Sequence, residues 1–289
     1  MAGLIVVGVD GSVPSTAAVE WAAEDAALRD AELRLVYVRE PWAEENPFHR
    51  SSDMRESLLR HYQEVLEQAA ARARERAPRV TVTTELLAGE VVDELRDQAA
   101  RADELVLGSR GMGGFAGMIL GSVGLGLAGR VDRPVVIIRR PVQSVSGEIV
   151  VGIDGSPQAD AALAYAFEEA RLRDARVNAV HVWQVPAAAP YGVAYPGLLD
   201  DVRDAAVDTA RRQLAPWRDK YPTVEVVETI VSGHPTPVLA EASRTADLVV
   251  VGSHGRGMIG SVLLGSVSHG LLHRAHSPVA VVGSRKEEP

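Results

Sequence analysis

The sequence predicts an α/β fold made of two tandem, doubly wound, five-stranded parallel sheets of Rossmann-like type. Three observations carry that expectation. The chain has 289 residues, enough for about two domains. It repeats itself at a fixed offset. Within each copy, apolar runs rich in β-branched residues alternate with helical stretches, the pattern of βαβ units with right-handed crossovers.

The repeat is legible in four separated places. Ile5-Val6-Val7-Gly8-Val9-Asp10-Gly11-Ser12 recurs as Ile149-Val150-Val151-Gly152-Ile153-Asp154-Gly155-Ser156. Gly108-Ser109-Arg110-Gly111 recurs as Gly252-Ser253-His254-Gly255, and Leu120-Gly121-Ser122-Val123 as Leu264-Gly265-Ser266-Val267. Arg133-Pro134-Val135 matches Ser277-Pro278-Val279. From Ile5 to Ile149 the offset is 144 residues, and it is the same for the other three pairs. Chance does not hold one register over four motifs, so the chain is a duplication. The expected domains are 1–141 and 147–285, with the boundary near Pro141 to Gly147.

In the first copy, strands are expected at Leu4–Val9, Leu33–Val38, Val80–Leu87, Leu105–Leu107 and Val135–Ile138. Their nearly continuous apolar character suits parallel strands covered on both faces. Helices are expected at Ala17–Arg29, Ser57–Arg76 and Val91–Arg101. The second copy predicts strands at Ile149–Ile153, Val177–Trp183, Val224–Val231, Leu248–Val251 and Val279–Val282. Its Ser156-Pro157 pair reads as a helix cap followed by a first-turn proline. Trp42–Tyr62 and Pro186–Leu199 differ most between the copies and hold prolines and aromatics. They are expected to be loops over the sites, or surfaces for a partner.

Composition narrows the function. Hydrophobic residues are 46 % and charged residues 24 %, the balance of an ordinary globular protein. The net charge of -9 argues against a nucleic-acid partner, which demands a basic face. Lys220 and Lys286 are the only lysines, and the chain has no cysteine. Disulfides, thiolate metal sites and cysteine nucleophiles are therefore excluded. The opening MAGLIVVGVDGS lacks the basic start and long apolar stretch of a signal peptide. Phe115 to Gly129 is too short and glycine-rich to span a bilayer. A cytoplasmic protein with no membrane span is the expectation.

Ligands of doubly wound sheets bind beyond the carboxyl ends of the strands, where the strand order reverses. The glycines fall there. Leu105–Leu107 runs into Gly108-Ser109-Arg110-Gly111-Met112-Gly113-Gly114, and Leu248–Val251 into Gly252-Ser253-His254-Gly255-Arg256-Gly257-Met258. Glycine lets bare backbone N–H groups approach an anion. Gly121-Ser122 and Gly265-Ser266 follow, each opening an apolar helical segment whose first N–H groups and hydroxyl suit a phosphate. Both halves thus carry glycine, two residues, glycine, nine residues, then Gly-Ser.

On these motifs the chain resembles the universal stress proteins, in the tandem-domain form of their ATP-binding branch, over essentially its whole length. The resemblance implies an adenine nucleotide alpha hydrolase-like fold, an adenine nucleotide (ATP) in each half, and Mg²⁺ beside the phosphates. Gly8 and Asp10, with Gly152 and Asp154, would border adenine and ribose. Val38 and Val182 would line the adenine pocket. Gly108 to Gly114 and Gly252 to Met258 would wrap ribose and phosphates. Gly121, Ser122 and Val123, with Gly265, Ser266, Val267 and Ser268, would hold the phosphates. Asp10 and Asp154 are indirect candidates for the Mg²⁺ shell. The resemblance also implies that the two halves pack as a pseudo-dimer near Val135–Ile138 and Val279–Val282. A homodimer and a protein partner complete the expectation.

Alternatives stay open at several residues. Asp10 and Asp154 also suit a turn, because Asp-Gly-Ser is good turn chemistry, and Ser122 and Ser266 also suit helix caps. Arg110 and Arg256 either neutralise phosphate or lie in solvent. His269, His273 and His276 share one helical face, but no sequence-adjacent carboxylate completes a metal set; surface or interface histidines are expected. The loops lack a Walker lysine, and no general base is paired with a nucleophile. The expected function is a nucleotide-dependent regulator in a stress or dormancy response, the alternative a slow ATPase or autophosphorylating enzyme.

Overall fold

In the computed structural model, which describes residues 3–40, 52–111, 120–139, 145–184, 197–255 and 264–283, the apolar runs form strands close to their expected bounds. The chain divides into two units, Met1–Gln143 and Ser144–Glu288. The first comprises β1 (Leu4–Gly8), α1 (Val13–Arg29), β2 (Glu32–Arg39), α2 (Ser52–Arg76), β3 (Val82–Ala88), α3 (Val91–Ala100), β4 (Glu104–Gly108), α4 (Ser122–Leu127) and β5 (Val135–Ile138). Its strands are parallel in the order β3-β2-β1-β4-β5.

The second unit repeats the series as β6 (Glu148–Ile153), α5 (Pro157–Arg173), β7 (Arg176–Trp183), α6 (Leu198–Lys220), β8 (Val226–Ser232), α7 (Pro235–Ala242), β9 (Leu248–Gly252), α8 (Ser266–Arg274) and β10 (Val279–Val282). Its order is β8-β7-β6-β9-β10, again parallel. Each sheet winds outward from its first strand and then returns to the other side of it. The reversal leaves a crevice at the carboxyl ends of β1 and β4, and of β6 and β9.

Local chemistry sets the helix ends. Ser12 caps α1 by accepting from the Ser15 N–H at 3.3 Å, and Ser156 caps α5 by accepting from the Ala159 N–H at 3.2 Å. Both helices carry a first-turn proline. They end on Asp30 and Asp174 with φ of 52° and 51°, a left-handed conformation that aspartate tolerates better than most residues. β4, β5, β9 and β10 are buried along nearly all their length, whereas β3 and β8 are partly exposed along theirs. These two are outer edges, so the expectation of strands covered on both faces holds for the inner ones only.

The expected loops are shorter than their sequence suggested. Ser52 onward already belongs to α2, and Leu198 to α6. Between Pro47 and Pro78 the sequence holds neither proline nor glycine, so nothing interrupts the helical hydrogen-bond ladder. The divergent residues 41–51 and 185–196 lie outside the described residues. Among the described residues, no helix is long and apolar enough to cross a membrane.

The two units fill the space between their first two helices differently. Phe167 of α5 is fully buried against Trp217 and Tyr221, with ring centroids 6.1 and 5.6 Å away. One repeat earlier stand Ala23, Ala73 and Ala77, all buried. Alanine lets the backbones of α1 and α2 run closer together than those of α5 and α6. Lys220 lies over Trp217 and Tyr221 at 5.4 and 5.2 Å, a cation–π arrangement at the rim of the aromatic cluster.

Candidate functional site

Each crevice holds a cavity, of about 580 Å³ in the first unit and about 260 Å³ in the second. Of the expected residues, Gly8, Asp10, Val38, Gly108, Arg110, Gly111, Gly121, Ser122 and Val123 line the first. Gly152, Asp154, Val182, Gly252, His254, Gly255, Gly265, Ser266, Val267 and Ser268 line the second. Residues distant in sequence are thus brought to one place in each half.

Ser109 and Ser253 do not line the cavities. Each is 3 % exposed, because its backbone is engaged twice at the base of the loop. The Ser109 N–H donates to Ile138 O at 2.7 Å, and its carbonyl accepts from the Gly121 N–H at 2.7 Å. Ser253 repeats this with Val282 O and the Gly265 N–H, both at 2.8 Å. The serines therefore anchor the loop, and Ser253 Oγ lies 3.1 Å from His254 Nδ1. Met112, Gly113 and Gly114, with Arg256, Gly257 and Met258, lie outside the described residues.

The aspartates divide their two oxygens between two tasks. Asp10 Oδ1 accepts from the Ser12 N–H at 3.0 Å, and Asp154 Oδ1 from the Ser156 N–H at 2.9 Å. That is the turn chemistry expected of Asp-Gly-Ser. The other oxygen approaches the loop opposite. A Cβ added at Gly111 would meet Asp10 Oδ2 at 2.6 Å, and one at Gly255 would meet Asp154 Oδ2 at 2.6 Å. The second glycine of each loop therefore leaves the aspartate across the crevice its present position, which an added Cβ would force it to leave. In the first unit Ser12 Oγ also donates to Arg110 O at 3.1 Å, tying the two loops together.

Gly121 is different. Its φ of -79° is open to any residue, and an added Cβ would find only ordinary contacts, the nearest at 3.5 Å. Neither its backbone conformation nor packing among the described residues demands glycine there, whereas a Cβ added at Gly265 would lie 3.1 Å from Ser253 O. Gly121 and Gly265 start α4 and α8 without a side-chain cap, unlike α1 and α5. The first-turn N–H groups at Ser122 and Ser266 therefore open beside the cavities with no side chain committed to them.

Sequence reasoning missed part of the lining. Leu95 of α3 and Leu239 of α7 wall the two cavities; they stand one repeat apart, and the buried periodicity of the helix after the third strand could have indicated them. Tyr37 lines the first cavity, its ring tilted 32° against that of Tyr62 with centroids 4.9 Å apart. Burial, then the neighbouring Tyr62 and Asp10, push its phenol from 10.0 up to about 12. The second unit has buried His181 and Ala206 at these positions.

The folded state holds the Tyr37 phenol proton more tightly than the unfolded chain. The associated stability is complete below pH 10 and is lost as pH rises from about 10 to about 12. In a spectrophotometric titration of the folded protein, a phenol is expected to ionise near pH 12, and Tyr37→Phe to remove that late step. Ionisation of every tyrosine near pH 10 in the folded wild type would refute the assignment.

Fold and site together define a class: a duplicated, doubly wound α/β protein with a glycine-lined crevice at the strand-order reversal of each half. The model of the Universal stress protein family matches residues 1–139 and 147–283. A universal stress protein of Mycobacterium tuberculosis is 38 % identical, over 96 % of this chain and 94 % of that protein. One of Mycolicibacterium smegmatis is 35 % identical, over 97 % of each. The crystal structure of a universal stress protein from Archaeoglobus fulgidus covers 97 % of this chain and 98 % of its own, with a TM-score of 0.70 at 22 % identity. At that identity the likeness speaks for the fold. The chain belongs to the universal stress protein family.

Proposed function

We propose that each half binds an adenine nucleotide, ATP with Mg²⁺, and that the protein is a nucleotide-dependent regulator in a stress or dormancy response. The observation that carries this reading is Gly121. The sequence keeps a side-chain-free residue where the described residues leave room for one, on the wall of a cavity. An incoming ligand that needs the bare backbone accounts for it. The ligand's chemistry follows from the surroundings. Uncapped first-turn N–H groups at Ser122 and Ser266 suit phosphate oxygens, with Arg110 and His254 on the same walls. Val38, Leu95 and Leu107, with Val182, Leu239 and Val251, offer apolar surface for a base.

A magnesium ion fits the donor set. Asp10 and Asp154 supply hard carboxylate oxygens at the cavity wall, the ligand type Mg²⁺ takes when it also holds phosphates. Bound there, the ion would offset the phosphate charge. Because the first cavity has Arg110 and Tyr37 on its wall and the second has His254, with no tyrosine among its lining residues, the two halves are expected to bind with unequal affinity.

Calorimetric titration of nucleotide-free protein with Mg²⁺ and ATP tests the reading. Two equivalents per chain are expected, and the paired change Asp10→Ala with Asp154→Ala should weaken both. Absence of heat for the wild type, with no adenine nucleotide extractable from the purified protein, would overturn the proposal. Unchanged affinity in the variant would reduce the aspartates to turn formers. A pull-down with and without ATP then tests regulation, since a switch must change its partner set with the nucleotide.

A further inference from the structure

We propose a second, separate binding site: His269 and His273 of α8 form a two-point chelate for a borderline divalent transition-metal ion such as Cu²⁺, Ni²⁺ or Zn²⁺. The two residues stand one helical turn apart on the same face. Their ring centroids are 4.8 Å apart with the planes inclined at 52°. A divalent metal binds imidazole nitrogen at about 2.0–2.1 Å, which puts it about 3.2 Å from each ring centroid. Two rings bound at angles between square-planar and tetrahedral are then separated by roughly 4.5–5.2 Å. The observed spacing falls inside that window.

The helix holds the pair in place. Leu271 and Leu272, between the two histidines, are 0 % and 1 % exposed. A Cβ at Gly270 would meet Thr236 Cγ2 at 2.6 Å, so α8 packs tightly on α7 at the turn that carries the histidines. His269 is exposed and His273 half-buried, so an ion can reach them from solvent. Fixed backbone and neighbouring ring positions lower the ordering cost of chelation.

His276 does not complete a trio. Ala275 leaves the helix with ψ of 148°, and the His276 N–H is held by Ser243 Oγ at 2.8 Å. Among the described residues, no third histidine or carboxylate offers a ligand atom together with the pair. Water or a small exogenous ligand therefore fills the remaining positions. The donor set is all nitrogen, which selects against Mg²⁺ and favours Cu²⁺ over Ni²⁺ and Zn²⁺. The site is private to the second unit. In the first, α4 ends at Leu127, and Leu125 and Gly129 hold the corresponding positions. Because α8 begins at the wall of the second cavity, a metal here clamps the first turns of the helix that borders it.

The test uses tag-free, full-length protein titrated with Cu²⁺, Ni²⁺ and Zn²⁺ in turn, followed by calorimetry and thermal melting. One Cu²⁺ per chain is expected, binding most tightly of the three and raising the melting midpoint by a few degrees. His269→Gln and His273→Gln should each weaken Cu²⁺ binding about tenfold or more, whereas His276→Gln should leave it unchanged. Metal-free melting of each variant controls for folding. Equal Cu²⁺ binding by the double variant His269→Gln with His273→Gln would place the ion on another of the eight histidines and overturn the proposal. An equal loss from His276→Gln would also overturn it.

Discussion

Replacing Gly111 and Gly255 together by alanine is expected to weaken ATP binding about tenfold to a hundredfold while leaving the protein folded. Each new Cβ would arrive 2.6 Å from a carboxylate oxygen, that of Asp10 or of Asp154. The obstruction is the end of a side chain, which can rotate away, so the fold adapts. The aspartate does not keep its place beside the cavity, and a lost charge-assisted contact costs about 1.5–3 kcal/mol. Calorimetric titration of the variant, beside a melting curve, separates the two effects. Wild-type affinity in a folded variant would show that the position of the aspartate does not matter for binding. A variant that unfolds would show that the contact is structural. Gly121→Ala makes the converse comparison, since its Cβ meets no protein atom closer than 3.5 Å.

Truncating Phe167 to alanine is expected to destabilise the second unit by about 3–5 kcal/mol. The ring is 0 % exposed and touches Trp217 and Tyr221, so its removal leaves a cavity that two large, fixed neighbours cannot close. The first unit already has alanine at all three positions, yet the same change is not harmless in the second. There α5 and α6 stand further apart, at the distance the aromatics set. Chemical denaturation followed by tryptophan fluorescence reads the loss, since Trp217 reports on the cluster directly. A change below about 1 kcal/mol would mean that the helices collapse to the alanine-type spacing.

The sequence was informative in proportion to how local each decision was. The duplication, the ten strands among the described residues and the cap at Ser156 depend on runs of a few residues and a constant offset. They could be read without a structure. Most of the described residues singled out by the glycine spacing line the cavities, because strand ends and the strand-order reversal follow from βαβ alternation. Ser109 and Ser253, expected within the loops that wrap ribose and phosphates, are buried off the cavity wall for a physical reason. A serine inside a glycine loop looks like a ligand contact, but its backbone is used to close the loop and its side chain is buried as a result.

What the sequence determined by itself is the duplicated α/β plan and the two glycine loops, since both are written in period and spacing. Only the tertiary structure decided which glycine serves which purpose. Gly111 yields space to Asp10 across the crevice, whereas Gly121 has only ordinary contacts among the described residues, and that difference depends on residues about a hundred positions apart meeting. The same holds for the exchange of Phe167, Trp217 and Tyr221 for three alanines. One pattern of burial admits either set, and helix separation, which no local signal encodes, settles which one packs.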